Sequence, residues 1–257
     1  MASYHIQKGK DIKLAGKPSS IVKENLTAAT VTVFPGEFKG IKPKLLVKEG
    51  DSVRIGQPLF FDKKLPALQF VAPAAGKIAP IEYGERRSLA AIRIEVDKKE
   101  EAVRFSRNSA ASLIDLPRKK VFDRLLKTGY LAYLIERPFS KIANPAHVPK
   151  SIFVNGMATA PHQADPNITL EGKQKEFQAG LDILTRLTEG PVHLCIHEQA
   201  TFLKQTWNNV AVHRFNGPHP SGNTSVHIHH IDPIRPGDVV WTIKPDHVAA
   251  IGQLFLR

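Results

Sequence analysis

Several residues in this 257-residue chain have the type and spacing to do chemistry. Histidines crowd near the end: His219 sits in Asn216-Gly217-Pro218-His219-Pro220-Ser221-Gly222, and His227, His229 and His230 follow in Val226-His227-Ile228-His229-His230. On a strand, His227 and His229 face one way and could ligate a metal together, while His230 faces the other. No third ligand is identifiable, no Cys is near and there is no H-E-x-x-H. The expectation is therefore a structural loop whose glycines and prolines hold a chain crossing, with no metal. Ser221 lacks the G-x-S-x-G elbow of a hydrolase nucleophile. Lys63 and Lys64 occupy Asp62-Lys63-Lys64-Leu65-Pro66-Ala67, where a carrier domain would present a modified lysine. The Met-Lys-Met or Asp-Lys-Ala context is missing and Pro66 stiffens the tip, so both read as solvated turn residues. Asn155-Gly156 ends an apolar run, where an α/β sheet commonly keeps a ligand, although one Gly more often marks a turn. No G-x-G-x-x-G follows an expected strand and no Walker loop exists, so NAD binding by this chain is not expected.

The elements that must position these residues fall into two kinds. From Lys44 to Ile94, short apolar runs alternate with turn signals at Glu49-Gly50-Asp51, Ile55-Gly56-Gln57-Pro58, Ala72-Pro73-Ala74-Ala75-Gly76 and Tyr83-Gly84-Glu85. That layout predicts short hairpins closing on one core, and it resembles biotinyl- and lipoyl-carrier domains. Turn spacing stops in the charged stretch after Asp97, which predicts a carrier-like β domain over residues 1–104 and a second domain over 105–257. In the second, Val121, Phe122, Leu125 and Leu126 share a helical face that ends at Gly129. Ser151-Ile152-Phe153-Val154-Asn155 reads as a buried strand, and Phe177, Leu181, Leu184 and Leu187 recur at helical spacing until Gly190-Pro191. A strand at 192–196, a short helix at 199–204 and a strand at 210–215 complete a β-α-β-α-β series, hence a parallel, Rossmann-like sheet. A further strand is expected at 239–243, then a helix through Leu254 with Asp246 as its N-cap. The chain stops inside that apolar segment, as a fragment of a longer protein would.

Composition narrows the class. The single cysteine, Cys195, cannot pair within the chain, which fits a reducing compartment. No window reaches the length of a membrane span, and the N-terminus lacks the pattern of a signal peptide. Thirty-six Lys and Arg against 24 Asp and Glu leave +12, spread as +7 up to residue 104 and +5 beyond it. Nucleic-acid binders concentrate such charge on one helix or interleave it with aromatics; neither occurs, so nucleic acid is not an expected partner. A cytoplasmic membrane face remains compatible.

Arg137-Pro138-Phe139-Ser140-Lys141, Ile152-Phe153-Val154-Asn155, Ala179-Gly180-Leu181-Asp182-Ile183-Leu184, the His219 loop with His227-Ile228-His229, and Ile251-Gly252-Gln253-Leu254-Phe255-Leu256 carry a family resemblance. So do the opening Lys8-Gly9-Lys10-Asp11-Ile12-Lys13-Leu14-Ala15-Gly16 and Phe61-Asp62-Lys63-Lys64. In this order and along the whole chain they resemble the A subunits of sodium-translocating NADH:quinone oxidoreductases. The resemblance implies a mixed α/β chain: an N-terminal barrel-sandwich hybrid, then a Rossmann-like domain similar to the flavin subunit of respiratory complex I. It implies a peripheral subunit on the cytoplasmic face of the bacterial inner membrane, in a complex that couples NADH oxidation and quinone reduction to sodium export.

The flavin-binding relatives use a glycine-rich loop, aligned here with Gly129-Tyr130-Leu131-Ala132-Tyr133-Leu134-Ile135-Glu136-Arg137-Pro138-Phe139-Ser140-Lys141. Side chains such as Tyr130 and Tyr133 fill space that bare backbone needs beside a phosphate or isoalloxazine, so a lost flavin site is expected. By the resemblance, NADH, flavins and the iron–sulfur cluster belong to other subunits, and this chain holds no cofactor of its own. Its implied partners are those subunits, above all an integral membrane neighbour, and quinone. A quinone needs donors for its carbonyls and an apolar slot for its ring. The expected contacts are Phe34 and Phe38 around Pro35-Gly36-Glu37, and Arg137, Phe139 and Lys141 in the altered loop, although Phe34 and Phe38 could equally be barrel core and Arg137 and Lys141 interface charges. The competing expectation is a non-catalytic scaffold that docks the NADH-oxidising subunit to the membrane part.

Overall fold

A computed structural model describes residues 2–16, 18–22, 27–202 and 210–256 of the chain. They form two compact units, one of Glu24–Phe105 with Phe122–Ala132, the other of Met1–Lys23, Ser106–Val121 and Tyr133–Arg257. The expected division at residue 104 therefore differs from the backbone's at two places. The opening strand, β1 (Ala2–His5), pairs in the sheet of the second unit, and the end of the first helix returns to the first. Four residues at a sheet edge carry too little alternation to identify their partner sheet, so only the pairing itself assigns β1.

The first unit is built from β2 (Thr30–Val33), β3 (Pro43–Leu45), β4 (Ser52–Val53), β5 (Pro58–Asp62), β6 (Leu65–Val71), β7 (Gly76–Ile78), β8 (Glu82–Tyr83) and β9 (Leu89–Val96). One antiparallel sheet runs β2-β9-β7-β4 with β8 added on β9, and a second runs β3-β5-β6. Inward positions supply the core: Ile92 and Ile94 from β9, Leu59 and Phe60 from β5, Leu68 and Phe70 from β6. Phe60 and Phe70 stack at 4.6 Å between centroids, the cross-strand aromatic pair that fixes the β5–β6 register. β4, β5 and β6 lie between turns that the sequence marks, and β7 and β9 each follow one.

The second unit holds a seven-stranded sheet, with β10 (Ile135–Arg137), β11 (Lys141–Ile142), β12 (Ser151–Gly156), β13 (Val192–His197), β14 (Val210–Asn216) and β15 (Val240–Ile243). Its order is β1-β14-β13-β12-β15-β10-β11, with β1, β14, β13, β12 and β15 mutually parallel and β10 and β11 antiparallel. The expected parallel series is present as β12, β13 and β14. The strand expected near 239–243 is β15, and it pairs on the far side of β12, so the order reverses between β12 and β15.

Among the described residues five α-helices accompany the sheets: α1 (Arg118–Lys127), α2 (Pro166–Thr169), α3 (Gln174–Thr185), α4 (Thr224–Ile231) and α5 (Pro245–Leu256). Val121, Phe122, Leu125 and Leu126 are buried on α1, as their spacing predicts, and Gly129 at φ +75° takes the left-handed conformation just past its end. The helix expected at 199–204 is a turn as far as Phe202; Leu203 and Lys204 lie outside the described residues. Asp246 is not an N-cap: α5 begins one residue earlier, because Pro245 suits the first helical position, which leaves Asp246 in the first turn, where its charge suits the helix dipole. The stretch 226–230 is not a strand but part of α4, since two apolar–histidine alternations can be read at either period. Among the described residues no helix is long and apolar enough to cross a membrane.

Helices α3 and α5 touch through glycines. A Cβ on Gly180 would strike the carbonyl oxygen of Val248, and one on Gly252 would strike the carbonyl oxygen of Glu176 and lie 2.6 Å from the Gly180 nitrogen. No rotamer change can relieve a clash with backbone, so the helices would have to separate. Gly180→Ala and Gly252→Ala are each expected to lower unfolding free energy by about 1–3 kcal/mol or more, the cost of overpacking, as measured by urea denaturation of the whole chain.

Candidate functional site

Three of the five expected contact residues meet in one hairpin. β10 pairs with β11 through Ile135 with Ile142 and Glu136 with Lys141, leaving Arg137-Pro138-Phe139-Ser140 as the turn. Phe139 at the tip is 77% exposed. The Lys141 ammonium lies 5.5 Å from its ring centroid, within reach of a cation–π contact. Arg137 Nη1 donates to Ser140 Oγ at 3.0 Å, while its Nε is buried with no partner among the described residues. The tip thus shows a large aromatic face between two cations, a combination that suits a planar acceptor or an acidic protein loop.

The root of the hairpin is fixed by a carboxylate that sequence reasoning missed. Glu136 Oε2 accepts from the fully buried Trp241 indole at 3.2 Å, from the Asn144 backbone N–H at 3.3 Å, and faces His147 Nδ1 at 3.0 Å. Trp241 is 105 residues away, so no local spacing could have linked it to Glu136. Register also orients the hairpin. Arg137 pairs with Val240 and Ile135 with Thr242, so the tip lies at the end of the sheet where β15 begins. The end where β12 and β15 finish, the usual ligand edge of such sheets at an order reversal, carries Tyr133 stacked on His247 at 4.0 Å. Burial lowers the His247 pKa, helped by Lys244 and opposed by Asp246.

In the stretch expected to match a flavin loop, Leu131, Ala132 and Leu134 are buried, and Tyr130–Tyr133 is a short 3-10 turn. Apolar side chains therefore take the positions where bare backbone would have to approach a phosphate, and these residues do not fit a flavin.

Phe34 and Phe38 belong to the other unit. A 3-10 turn at Pro35–Glu37 separates them, and Phe38 packs its half-buried ring on Phe70 at 4.5 Å, at the rim of the barrel core. Phe34 points outward, 47% exposed. At the β5–β6 turn Asp62 pairs with Leu65, so Lys63-Lys64 is a two-residue tip. The buried Asp62 accepts from the backbone of Lys42 and Lys64, and Lys64 Nζ donates to the Gly40 carbonyl at 2.6 Å. One of the two lysines is thus engaged as a structural strut.

The polar residues at the end of β12 and in the loop beyond it are spent internally. Asn155 Nδ2 donates to the Gly222 carbonyl at 2.9 Å and to Thr224 Oγ1 at 2.8 Å, and its Oδ1 accepts from Met157 N. Thr159 Oγ1 lies 3.1 Å from His219 Nδ1 and accepts from Gly222 N. On α4, His227 is buried and His229 exposed, because residues two apart diverge by about 200° on a helix; they cannot share a metal as they could on a strand. No group of three or more His, Cys, Asp or Glu among the described residues is placed to hold a metal.

Comparison with known proteins adds two family matches: the NqrA N-terminal barrel-sandwich hybrid domain over residues 4–97, and the NqrA second alpha/beta domain over residues 116–257. Among curated proteins, the A subunit of the Na(+)-translocating NADH-quinone reductase from Marinomonas sp. is 41% identical over 253 residues, 98% of this chain and 56% of the relative. Its counterpart from Klebsiella pneumoniae is 41% identical over 252 residues, and that from Neisseria meningitidis is 40% identical over 250, with 98% and 97% of this chain and 56% of each relative covered. The chain thus spans about half the length of the curated relatives it matches.

Glu136→Ala strips the Trp241 indole and the Asn144 amide of their acceptor and is expected to cost about 1–3 kcal/mol in urea unfolding, whereas Phe139→Ala should stay within about 0.5 kcal/mol of the parent. Intact mass spectrometry of the purified chain is expected to give the unmodified polypeptide, with no lipoyl or biotinyl adduct on Lys63 or Lys64.

Proposed function

This chain belongs to the NqrA family, and on that premise we propose that it works as a peripheral subunit of a sodium-translocating NADH:quinone reductase at the cytoplasmic face of the bacterial inner membrane. In this reading NADH, flavins and the iron–sulfur cluster act on other subunits. The likeness to the flavin subunit of complex I is one of fold, with the glycine-rich loop rebuilt as an edge hairpin. The chain contributes the Arg137–Lys141 tip to the quinone site or to the docking surface that shapes it.

One observation carries this reading: Phe139 is held 77% exposed between Arg137 and Lys141, on a hairpin whose root is locked by Glu136. An aromatic ring in water gains nothing by standing out, and a tip tied to a buried Trp does not collapse onto the surface, so the ring is available to a partner. A cation beside it can donate to a quinone carbonyl or pair with an acidic loop, worth roughly 1.5–3 kcal/mol when partly desolvated. Phe34 offers a separate exposed aromatic on the barrel unit, while Phe38 serves chiefly to close that unit's core.

The second reading, a scaffold that docks the NADH-oxidising subunit, is favoured by the placement of the tip. It lies at the opposite end of the sheet from the edge where α/β folds commonly hold small ligands.

Arg137→Ala with Phe139→Ala in the full-length subunit of the assembled complex is expected to lower quinone reduction by about tenfold or to shift the response to quinone-site inhibitors. NADH oxidation by an artificial acceptor should continue. Loss of the NADH-oxidising subunit on purification would instead support the scaffold, and unchanged turnover, inhibitor response and subunit content would sink both readings of the tip.

A further inference from the structure

We propose that α4 and the loop 217–223 form an acid-released latch that holds the amino-terminal segment 4–11 against the edge of the α/β sheet. Ile228 of α4 belongs to an apolar cluster with Ile6, Phe153, Met157, Cys195, Phe215 and Val240. Three imidazoles are buried with it: His193 on β13, His213 on β14 and His227 on α4, exposed by only 7%, 9% and 0%. His193 Nδ1 and His213 Nε2 lie 3.0 Å apart, a distance at which one proton is shared between two neutral rings. His227 Nε2 donates to the Ser221 carbonyl at 2.8 Å, which leaves its Nδ1 unprotonated. His193 Nε2, His213 Nδ1 and His227 Nδ1 have no hydrogen-bond partner among the described residues. A second proton on any of these rings would therefore put a charge into the core with little to receive it.

The surroundings give that charge little relief. Phe153 packs on His193 at 4.6 Å, Phe215 on His227 at 4.3 Å, and Tyr4 lies 5.9 Å from His213. Asp232, just past α4, favours protonation of His193, but it is already bonded to Lys150 and Ser151. His230 and His213 oppose protonation of His227, and the chain's amino terminus opposes that of His213. Cys195 on the same face is held neutral, its thiol pushed up by burial. Burial accordingly lowers His193 and His227 to about 4, and lowers His213 as well.

The same groups tie down the start of the chain. The Ser221 that His227 holds by its carbonyl donates through Oγ to the Gly217 carbonyl at 2.7 Å. From this loop His219 N donates to Asp11 Oδ1 at 2.9 Å, and the His219 carbonyl accepts from Lys10 N at 2.8 Å. Ile6 N donates to the Asn216 carbonyl at 2.9 Å, and Tyr4 stacks on Phe215 at 4.7 Å. In the released state the imidazoles regain an ordinary pKa near 6.5 and bind protons below it, while the latched state refuses them down to about 4. Latching is therefore complete above about pH 6.5, weakens as pH falls towards 4, and loses nothing further below that. His193 and His227 each contribute roughly tenfold per pH unit within the window, and His213 acts in the same direction.

Hydrogen exchange of the whole chain, read by mass spectrometry at about pH 7.5 and about pH 5 and corrected for intrinsic rates, tests this. Segments 4–11 and 217–231 are expected to lose roughly a hundredfold or more of their protection at the lower pH, while α3 and α5 keep theirs. Equal protection at both pH values overturns the latch, and so does equal loss in α3 and α5, which would mark global unfolding. The variant His193→Asn, His213→Gln, His227→Gln places amides where the bonded ring nitrogens were and cannot charge. Its protection should be independent of pH, and the parent's acid response in this variant would equally overturn the proposal. Should the variant fail to fold, the comparison within the parent chain decides alone.

Discussion

The contact between α3 and α5 at Gly180 and Gly252 is the constraint on which the α/β unit rests. With backbone against backbone, the separation of the two helices is set by atoms that cannot change rotamer. α3 links β12 to β13, and α5 follows β15, so their contact helps hold β15 beside β12 and creates the reversal of strand order there. β15 in turn offers its other edge to β10. The exposed hairpin is thus the last member of a chain of placements that starts with two residues lacking side chains.

Two polar devices are then built on opposite sides of an energetic balance. At the hairpin root, Glu136 accepts from two N–H donors and faces His147, so a partly buried carboxylate is held where it stands and the tip inherits its rigidity. Under α4 the histidines are polar groups kept neutral, with ring nitrogens that have no partner among the described residues. The first arrangement holds a charge in place; the second tolerates buried rings only while they carry none.

The stretch that follows α1 presents packed side chains rather than bare backbone. Gly129 retains the turn that ends α1, but the residues after it bury Leu131, Ala132 and Leu134 and then run into an edge strand. The hairpin tip, at the far end of the strand, instead presents the exposed Phe139 ring.

The sequence by itself determined the two kinds of architecture, the barrel turns, the helical face of α1, the β12–β13–β14 series and the family, because each is written in local periodicity or in contiguous motifs. It also singled out Arg137, Phe139 and Lys141, which are close neighbours in the chain. It did not assign β1 to its sheet, whose pairing with β14 joins residues 2–5 to 213–216, nor reveal Trp241 behind Glu136. It left Val226-His227-Ile228-His229 open to a strand reading, since a short alternation of apolar and polar residues is compatible with either period and only burial on α4 decides. The gathering of His193, His213 and His227 was likewise invisible, because it depends on strand register and helix docking. Spacing along the chain carries local structure; which side chains share a buried volume is decided only when distant segments pack, and that is where the charges, the orphan nitrogens and the exposed ring acquire their meaning.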